Sequence, residues 1–291
     1  MENAKKLALH RKRRQFVEAL FRSKMSLVGL AILVFFVLMA FVGPLLYDYD
    51  HQEYGAGGML EPPSKAFLLG TDDLGRDVLG ELIHGAKTSL IVGVLATFIS
   101  MVIGTVIGIS SGYFGGRTDA FLMRVTDAFL VLPWLPLMLV LAALLGSSLW
   151  NIVVVIGVTS WAGTARLARA QTLSVKERQF VERARSIGAG HVYIMRKKIL
   201  PNVFPLIFSN TVLVSAVAIL SETTLSFLGM GDVLRPSWGM MLHYAFEAGA
   251  VSVGAYWFFV PPGVCIILLV LGFAFLGHSF DEILNPALRR R

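Results

Sequence analysis

Charge is what this chain has least of. Asp, Glu, Lys and Arg together make up 15% of its 291 residues, against 55% hydrophobic ones, and the mean hydropathy is +0.68. A soluble domain carries about a quarter of its residues as charges, so that class is excluded. Cysteine is nearly absent. Cys265 stands alone in an apolar run and can close no internal disulfide. The six histidines (His10, His51, His84, His191, His243, His278) show no metal-ligand spacing, which argues against a metal centre. No intramembrane nucleophile with a base, and no histidine pair, points to a membrane-embedded enzyme.

What is present is a set of long uncharged runs, at 25–47, 88–116, 128–165, 199–221 and 248–280. A spanning helix needs roughly 20 apolar residues to cross a hydrocarbon core of about 30 Å. The run 128–165 would be about 57 Å long as one helix, too long for a single crossing, so it folds back. Gly146-Ser147-Ser148 carries the turn chemistry. The expectation is an all-α polytopic membrane protein with six transmembrane helices. Along the chain this gives a basic N-terminal segment (1–25), a first span (26–47), an extracytoplasmic segment (48–86), a transmembrane core (87–280) and a tail (281–291).

Orientation follows from the cations. Lys5, Lys6, Arg11, Lys12, Arg13, Arg14, Arg22 and Lys24 precede the first span, opposed only by Glu2 and Glu18. By the positive-inside tendency the N-terminus is cytosolic. The apolar core that follows is too long for a signal peptide and ends at Pro44 and Tyr47, so it reads as an uncleaved anchor. Beside a membrane span these cations mean orientation and lipid contact, not nucleic-acid binding. Alternation then places 113–126, the basic 173–198 and the terminal "RRR" inside. The acid-rich 48–86, the turn near Gly146 and 229–247 fall outside. Both termini are cytosolic in this scheme.

"GELIHGAKTSL" (80–90) imitates a phosphate-binding loop, but Ala86 puts Lys87 and Thr88 one residue late. On the outer side, with no strand before it, it is no nucleotide site. Lys87 instead anchors a helix end at the interface. If ATP drives anything here, a partner hydrolyses it. The acidic "TDDLGRD" (71–77) lacks the spaced oxygens of a calcium loop and reads as a connecting loop over the pathway mouth.

The stretch "SVKERQFVERARSIGAGHVYIMRKKILPN" (174–202) is the most informative. Ser174 and Glu177 have capping-box spacing, which predicts a helix start. Val181, Ala184 and Ile187 repeat along one face, and Glu182 lies four residues after Arg178, within helical pairing distance. Gly188 and Gly190 break the helix, a second short amphipathic piece follows, and Pro201 opens the fifth span where its missing N–H costs nothing. Helix, bend and helix would lie across the membrane face, against headgroups or in a partner's groove.

Elsewhere, Glu222 closes an uncharged run of 23 residues. A charge deep in a bilayer costs roughly 2.5–3.5 kcal/mol, so Glu222 faces protein or a water-filled path as a gate, or sits near the outer surface. Arg124, Asp127, Arg166 and Arg169 could pair across helices, with snorkelling the favoured reading for the arginines. Gly104, Gly108 and Gly112 repeat every four residues, a stripe that admits a close helix neighbour, in a second subunit or, by default, in the same chain.

Glu182-Arg183-Ala184, three residues, Gly188, then Leu200-Pro201 resembles the E-A-A-x-x-x-G loop and downstream L-P of the membrane subunits of binding-protein-dependent ABC importers. Arg183 stands where that family has its first alanine, and Lys198 where it usually has isoleucine. "LGTDDLGRDVLGELIHGAKTSL" (69–90), "SGYFGGRTDAFLMRVTDAFLVLP" (111–133) and "ETTLSFLGMG" with "PSWGMML" (222–241) are similar to the C-type permeases of the dipeptide, oligopeptide and nickel group. "GDVLRPSW" replaces a frequent diproline run there. The resemblance implies a type I importer permease (MetI-like) fold forming half of a translocation pathway, for di- or oligopeptides; relatives carry nickel or oligosaccharides. It implies that Glu182, Arg183, Ala184, Gly188, Leu200 and Pro201 belong to a loop coupled to an ATPase. The implied partners are a second homologous permease, two cytosolic ATPases that hold the ATP and Mg, and an extracytoplasmic solute-binding protein. The chain itself would hold no cofactor and catalyse nothing. An ion-coupled carrier is the competing class, but neither an inverted repeat nor a mid-span acid supports it.

Overall fold

The computed structural model describes residues 18, 20, 21, 23–50 and 54–284, and the described residues contain no strand, only helices and one isolated bridge between Thr71 and Asp77. The basic residues before Glu18, Arg22 and the tail from residue 285 lie outside the described residues, as do the charges at 51–53.

α1 (Lys24–Phe41) starts at Ser23, whose hydroxyl accepts from the Ser26 N–H at 3.3 Å, and it is apolar all round, as a membrane span should be. A short α2 (Gly43–Leu46) carries Pro44 in its first turn. α3 (Val78–Phe114) is the longest uninterrupted α-helix at 37 residues, about 55 Å by helical rise. It begins ten residues before the apolar run because Asp77 caps it, accepting from Leu79 and Gly80 N–H at 3.2 Å each. "GELIHGAKT" is therefore ordinary helix interior, and no phosphate loop exists there.

α4 (Gly116–Val131) and α5 (Trp134–Leu145) form the third span as a pair bent by 91° at Leu132-Pro133. The predicted helix from 128 is thus an elbow, and 113–126, expected as loop, is helical. Five helices are long and apolar enough to cross a membrane, and this pair makes six. The turn after α5 sits where Gly146 predicted it, at φ +86, closed by Asn151 Nδ2 donating to Leu145 O (2.6 Å) and Gly146 O (3.1 Å).

α6 (Leu149–Thr159) and α7 (Trp161–Lys176) together form a 28-residue candidate span. Ser174 lies inside α7 and caps nothing, because the buried face of Ala165, Ala168, Thr172 and Val175 carries the helix past it. α8 (Gln179–Ser186) starts after the extended Arg178. Past the Gly188 bend, α9 (His191–Ile194), a π-helical turn (Met195–Ile199) and α10 (Leu200–Leu225) run on with a second π turn (Ser226–Met230) as one 40-residue span. Pro201 stands in the first turn of α10, as expected, although α10 continues from the turn before it without a break. The Leu200 N–H reaches back five residues to Met195 O, and Asn202 Nδ2 donates to Lys198 O at 2.7 Å, so the ladder is re-satisfied around the proline. α11 (Trp238–Glu247) is capped by Ser237, and α12 (Tyr256–Leu284) closes the chain.

α3 is the common wall, touching α1, α4, α6, α7, α10, α11 and α12. Its glycine stripe does face a neighbour in the same chain, α7. A methyl group on Gly104 would meet Trp161 O and Thr164 Cβ at 2.7 Å, and one on Gly112 would meet Thr172 Cβ at 2.8 Å.

The segment 54–77, whose last part, 71–77, was expected as a connecting loop, is folded. Gly55 N–H donates to Leu74 O (2.9 Å), Leu60 N–H to Asp72 O (2.8 Å) and Thr71 N–H to Glu61 O (3.0 Å). Arg76, 3% exposed, donates Nε to Asp72 Oδ2 at 2.6 Å and pairs with Glu81 Oε1 at 3.2 Å. Trp238 Nε1 to Leu82 O (2.9 Å) and Trp257 Nε1 to Thr71 O (3.2 Å) clip α11 and α12 onto this knot. Tyr47, donating to Asp77 Oδ2 at 2.5 Å, is pushed up to about 12 by burial and then by that bond. Burial also raises Asp73, with the Asp72 charge adding to it.

In Gly108→Leu the new Cβ must fit where Ala168 Cβ would be 2.6 Å and Arg169 N 2.9 Å away. It should destabilise by about 1–3 kcal/mol through overpacking. Gly163→Ala on the partner helix, where nothing lies within 4 Å, should be neutral or gain about 0.5–1 kcal/mol from helix propensity. Thermal unfolding of the detergent-solubilised proteins separates them, and equal stability for Gly108→Leu and wild type would refute the close contact.

Candidate functional site

The candidate site is the bent segment 174–202 with the ends of the helices beneath it. α8 exists because Val181 and Ala184, 0% and 4% exposed, seat it on a core made with Ile109, Tyr113, Val175, Ile194, Ile199 and Val203. It stops in a Schellman arrangement. Gly188 N–H donates to Arg185 O (2.9 Å) and Ala189 N–H to Ala184 O (3.0 Å), with Gly188 at φ +78. A side chain there would meet nothing within 4 Å, so glycine is required by the backbone conformation and not by crowding.

The predicted residues separate into two sets. Glu182, Arg183 and Gly188 are exposed, and so is Ile187 at 84%, a bare apolar side chain next to the bend. Ala184 points inward, as Val181 does, and holds the helix to its own chain. Ile187, expected on the inner face with Val181 and Ala184, lies outside it because it is already the cap residue of α8. Leu200 packs partly against the same core, while Pro201 is exposed within the continuous helix. Between Glu182 and Arg178 the bond found is backbone, Glu182 N–H to Arg178 O at 3.3 Å.

Beneath the bend lies a polar lattice that only partly shows in the sequence. Arg169 holds Asp119 with two bonds of 2.6 Å each, and Ser111 donates to the same carboxylate. Lys176 Nζ donates to Gly112 O at 3.0 Å. Arg166 meets Asp127 at 2.6 Å. Pairing, and not the favoured snorkelling, is what these arginines do. Asp119 was missed as the partner of Arg169 because 50 residues separate them, and its only local signal is an acid in the first turn of α4. These bonds put the end of α3, the start of α4, the end of α7 and the bent segment at one end of the molecule. The contacts of Trp238, Trp257 and Leu149 N–H with Asp232 (3.2 Å) gather 54–82, 146–149 and 229–257 at the other. Every predicted inner segment among the described residues therefore shares one end.

Glu222 is 1% exposed. Ser226 Oγ donates to it at 2.8 Å and Ser89 Oγ at 3.4 Å, with the Ser237 hydroxyl as a further partner. Within the single chain it faces hydroxyls of α3, the second π turn and the α11 cap; it lies neither at the surface nor on an open path. Gly239 lets α11 approach closely there: a methyl group would meet Ser226 Cβ at 2.6 Å.

Comparison with known proteins assigns the architecture. Residues 104–290 match the family described as binding-protein-dependent transport system inner membrane component, and residues 13–63 match the N-terminal TM domain of oligopeptide transport permease C. The dipeptide transport system permease protein DppC of Escherichia coli (strain K12) is 40% identical over 276 residues, covering 92% of this chain and 91% of its own length. DppC of Bacillus subtilis (strain 168) is 37% identical over 271 residues, 92% and 84%. The oligopeptide transport system permease protein OppC of the same organism is 35% identical over 274 residues, 93% and 88%. Among solved structures, an inward-facing MetNI methionine ABC transporter chain aligns with a TM-score of 0.56 at 19% identity, covering 72% of this chain and 97% of that one, a likeness of fold.

The two ion pairs differ in burial, and stability should register it. Asp127→Asn, at a site half exposed on both sides, should cost within about 1 kcal/mol. Asp119→Asn, whose carboxylate is 20% exposed and takes three bonds, should cost about 1.5–3 kcal/mol, the range for bonds to charged groups. Unfolding midpoints in detergent test the order, and a reversed order would show the Arg169 pair to be dispensable.

Proposed function

We infer, for a chain that belongs to the family of binding-protein-dependent transport system inner membrane components, that its bent segment is the point where an ATPase subunit docks. The chain is a multi-pass inner-membrane permease subunit of an ABC importer. The observation that supports the docking reading is the pairing of an anchored back with a bare front. Val181 and Ala184 fix α8 to the bundle, while Glu182, Arg183, Ile187 and Gly188 stand free at the membrane face.

Orientation follows from the cations. Arg178, Arg183, Arg185, Arg196, Lys197 and Lys198 all sit on this segment, which supports a cytosolic position for it, where ATP is. The acid-rich folded segment 54–82 then faces outward, toward a solute-binding protein. Two ATPases holding ATP and Mg, and a second permease completing the pathway, make up the assembly. This chain contributes no catalytic group. The peptide transport systems to which DppC and OppC belong support di- or oligopeptides as cargo. Glu222 acts as a gate pin, tying α11 to α3 and α10 at the outer end, in place of a group that lines the path.

Reconstitution with the ATPases and binding protein in liposomes tests this. Gly188→Val forces a β-branched residue into φ +78, a strain of about 1–2 kcal/mol or more. It should leave the spans inserted and cut binding-protein-stimulated hydrolysis about tenfold or more. Glu182→Lys should weaken ATPase co-purification. Wild-type coupling in both variants would remove the segment from the ATPase interface.

A further inference from the structure

Tyr113 is the last but one residue of α3, and its side chain is 7% exposed inside the bend of 174–202. It touches both limbs. Its hydroxyl is 2.9 Å from His191 Nδ1, in the first turn of α9, with the two rings edge to face at 5.7 Å. On the other limb the Arg185 guanidinium of α8 lies over its ring, 5.4 Å from the centroid. Phe114 adds a second aromatic contact to His191 at 5.9 Å. Gly188, the single positive-φ residue between Arg185 and His191, is the position about which the limbs can change their angle.

We propose that Tyr113 is the positioning residue through which the angle of this bend is delivered to α3, and through α3 to the outer face. The inference rests on the docking role of the bent segment. A change in the angle at Gly188 must either carry Tyr113 with it or break one of its two contacts. α3 runs from Val78 to Phe114 with no proline and no π turn along it, so a displacement at Tyr113 meets no hinge before the far end. Its far end carries Glu81, paired with Arg76, and Leu82, whose carbonyl accepts from Trp238. A push at the bend therefore arrives at α11 and the folded segment 54–77, where cargo would be received. A packing role alone would need the ring but not the hydroxyl, and this difference makes the idea testable.

The experiment uses the complete complex in proteoliposomes, with labelled dialanine as probe, and measures uptake per ATP hydrolysed. Tyr113→Phe keeps the ring and the Arg185 contact but loses the bond to His191. His191→Ala removes the same bond from an exposed position that does not threaten the fold. Each should lower uptake per ATP about fivefold, the worth of one ordinary hydrogen bond, with the ATPases still co-purifying. The double variant should be no worse than either single one, since both remove one interaction. His191→Asn, which keeps an acceptor near the Nδ1 position, should restore most of the coupling. Unchanged uptake per ATP in both single variants, additive losses in the double variant, or a loss that tracks lowered thermal stability would each overturn the relay. If the wild-type complex takes up no peptide with ATP, the peptide reading of the cargo falls; the relay is then read from binding-protein-stimulated ATP hydrolysis, and unchanged stimulation in both single variants overturns it.

Discussion

Close approach of α3 to α7 is the constraint on which the rest is built. Between lipid-facing helices there is no hydrophobic driving force, because acyl chains are as apolar as leucine, so association needs backbones near enough for dense packing. Gly104, Gly108 and Gly112 provide that on one face of α3. On another face Val94, Phe98, Val102 and Val106, also four apart, are exposed. Two stripes with one period divide the helix into a side committed to its own chain and a side open to lipid or to a second subunit. With α7 locked on, α7 leads directly into α8, so the bent segment inherits its position from three glycines.

Polar groups in the structure follow burial closely. Arg76 and Glu222 are almost wholly buried, and both sit among hydrogen-bond partners contributed by several elements. The penalty for an unpaired charge in such surroundings is several kcal/mol, so these contacts pin segments that would otherwise have no reason to meet. At the opposite end the charges are more exposed and the pairs individually weaker. The buried knots hold the outer region together. The exposed cations at the inner end stay available to solvent, headgroups or a partner.

Composition and charge asymmetry made the membrane class and the six-span count legible, and the glycine stripe declared its packing before its neighbour was known. Gly188 read correctly as a stop because positive φ leaves a residue signature. What remained hidden depends on distance in sequence. The capping-box spacing at Ser174 was overridden by the buried face of α7, a tertiary effect that a four-residue pattern cannot register. Pro201 marks the first turn of α10, but the π turn that joins that helix to α9 has no sequence mark. Asp119 and Arg169 are 50 residues apart, and the knot around Arg76 needs α11 and α12 to fold onto it. The fold of 54–77 has no sequence mark because Gly55, Gly57, Gly70 and Gly75 are ordinary turn residues whether or not the limbs between them pair.

A transport cycle requires a partner to bind two states of the permease differently, and the helices differ in how they could take part. α3 is unbroken and locked to α7, so this pair can move only as a block. α10 is bounded by π turns at both ends, at Met195–Ile199 and Ser226–Met230, with Gly229 at φ +83 inside the second. α12 carries Pro261 and Pro262 within the helix, and α4 hangs from consecutive positive-φ glycines, Gly115 and Gly116. Such positions are where helices bend or shift register at least cost. Compliance thus surrounds a stiff centre. The stiff centre reaches the bent segment at one end and the Arg76 knot at the other, and the compliant positions lie outside it.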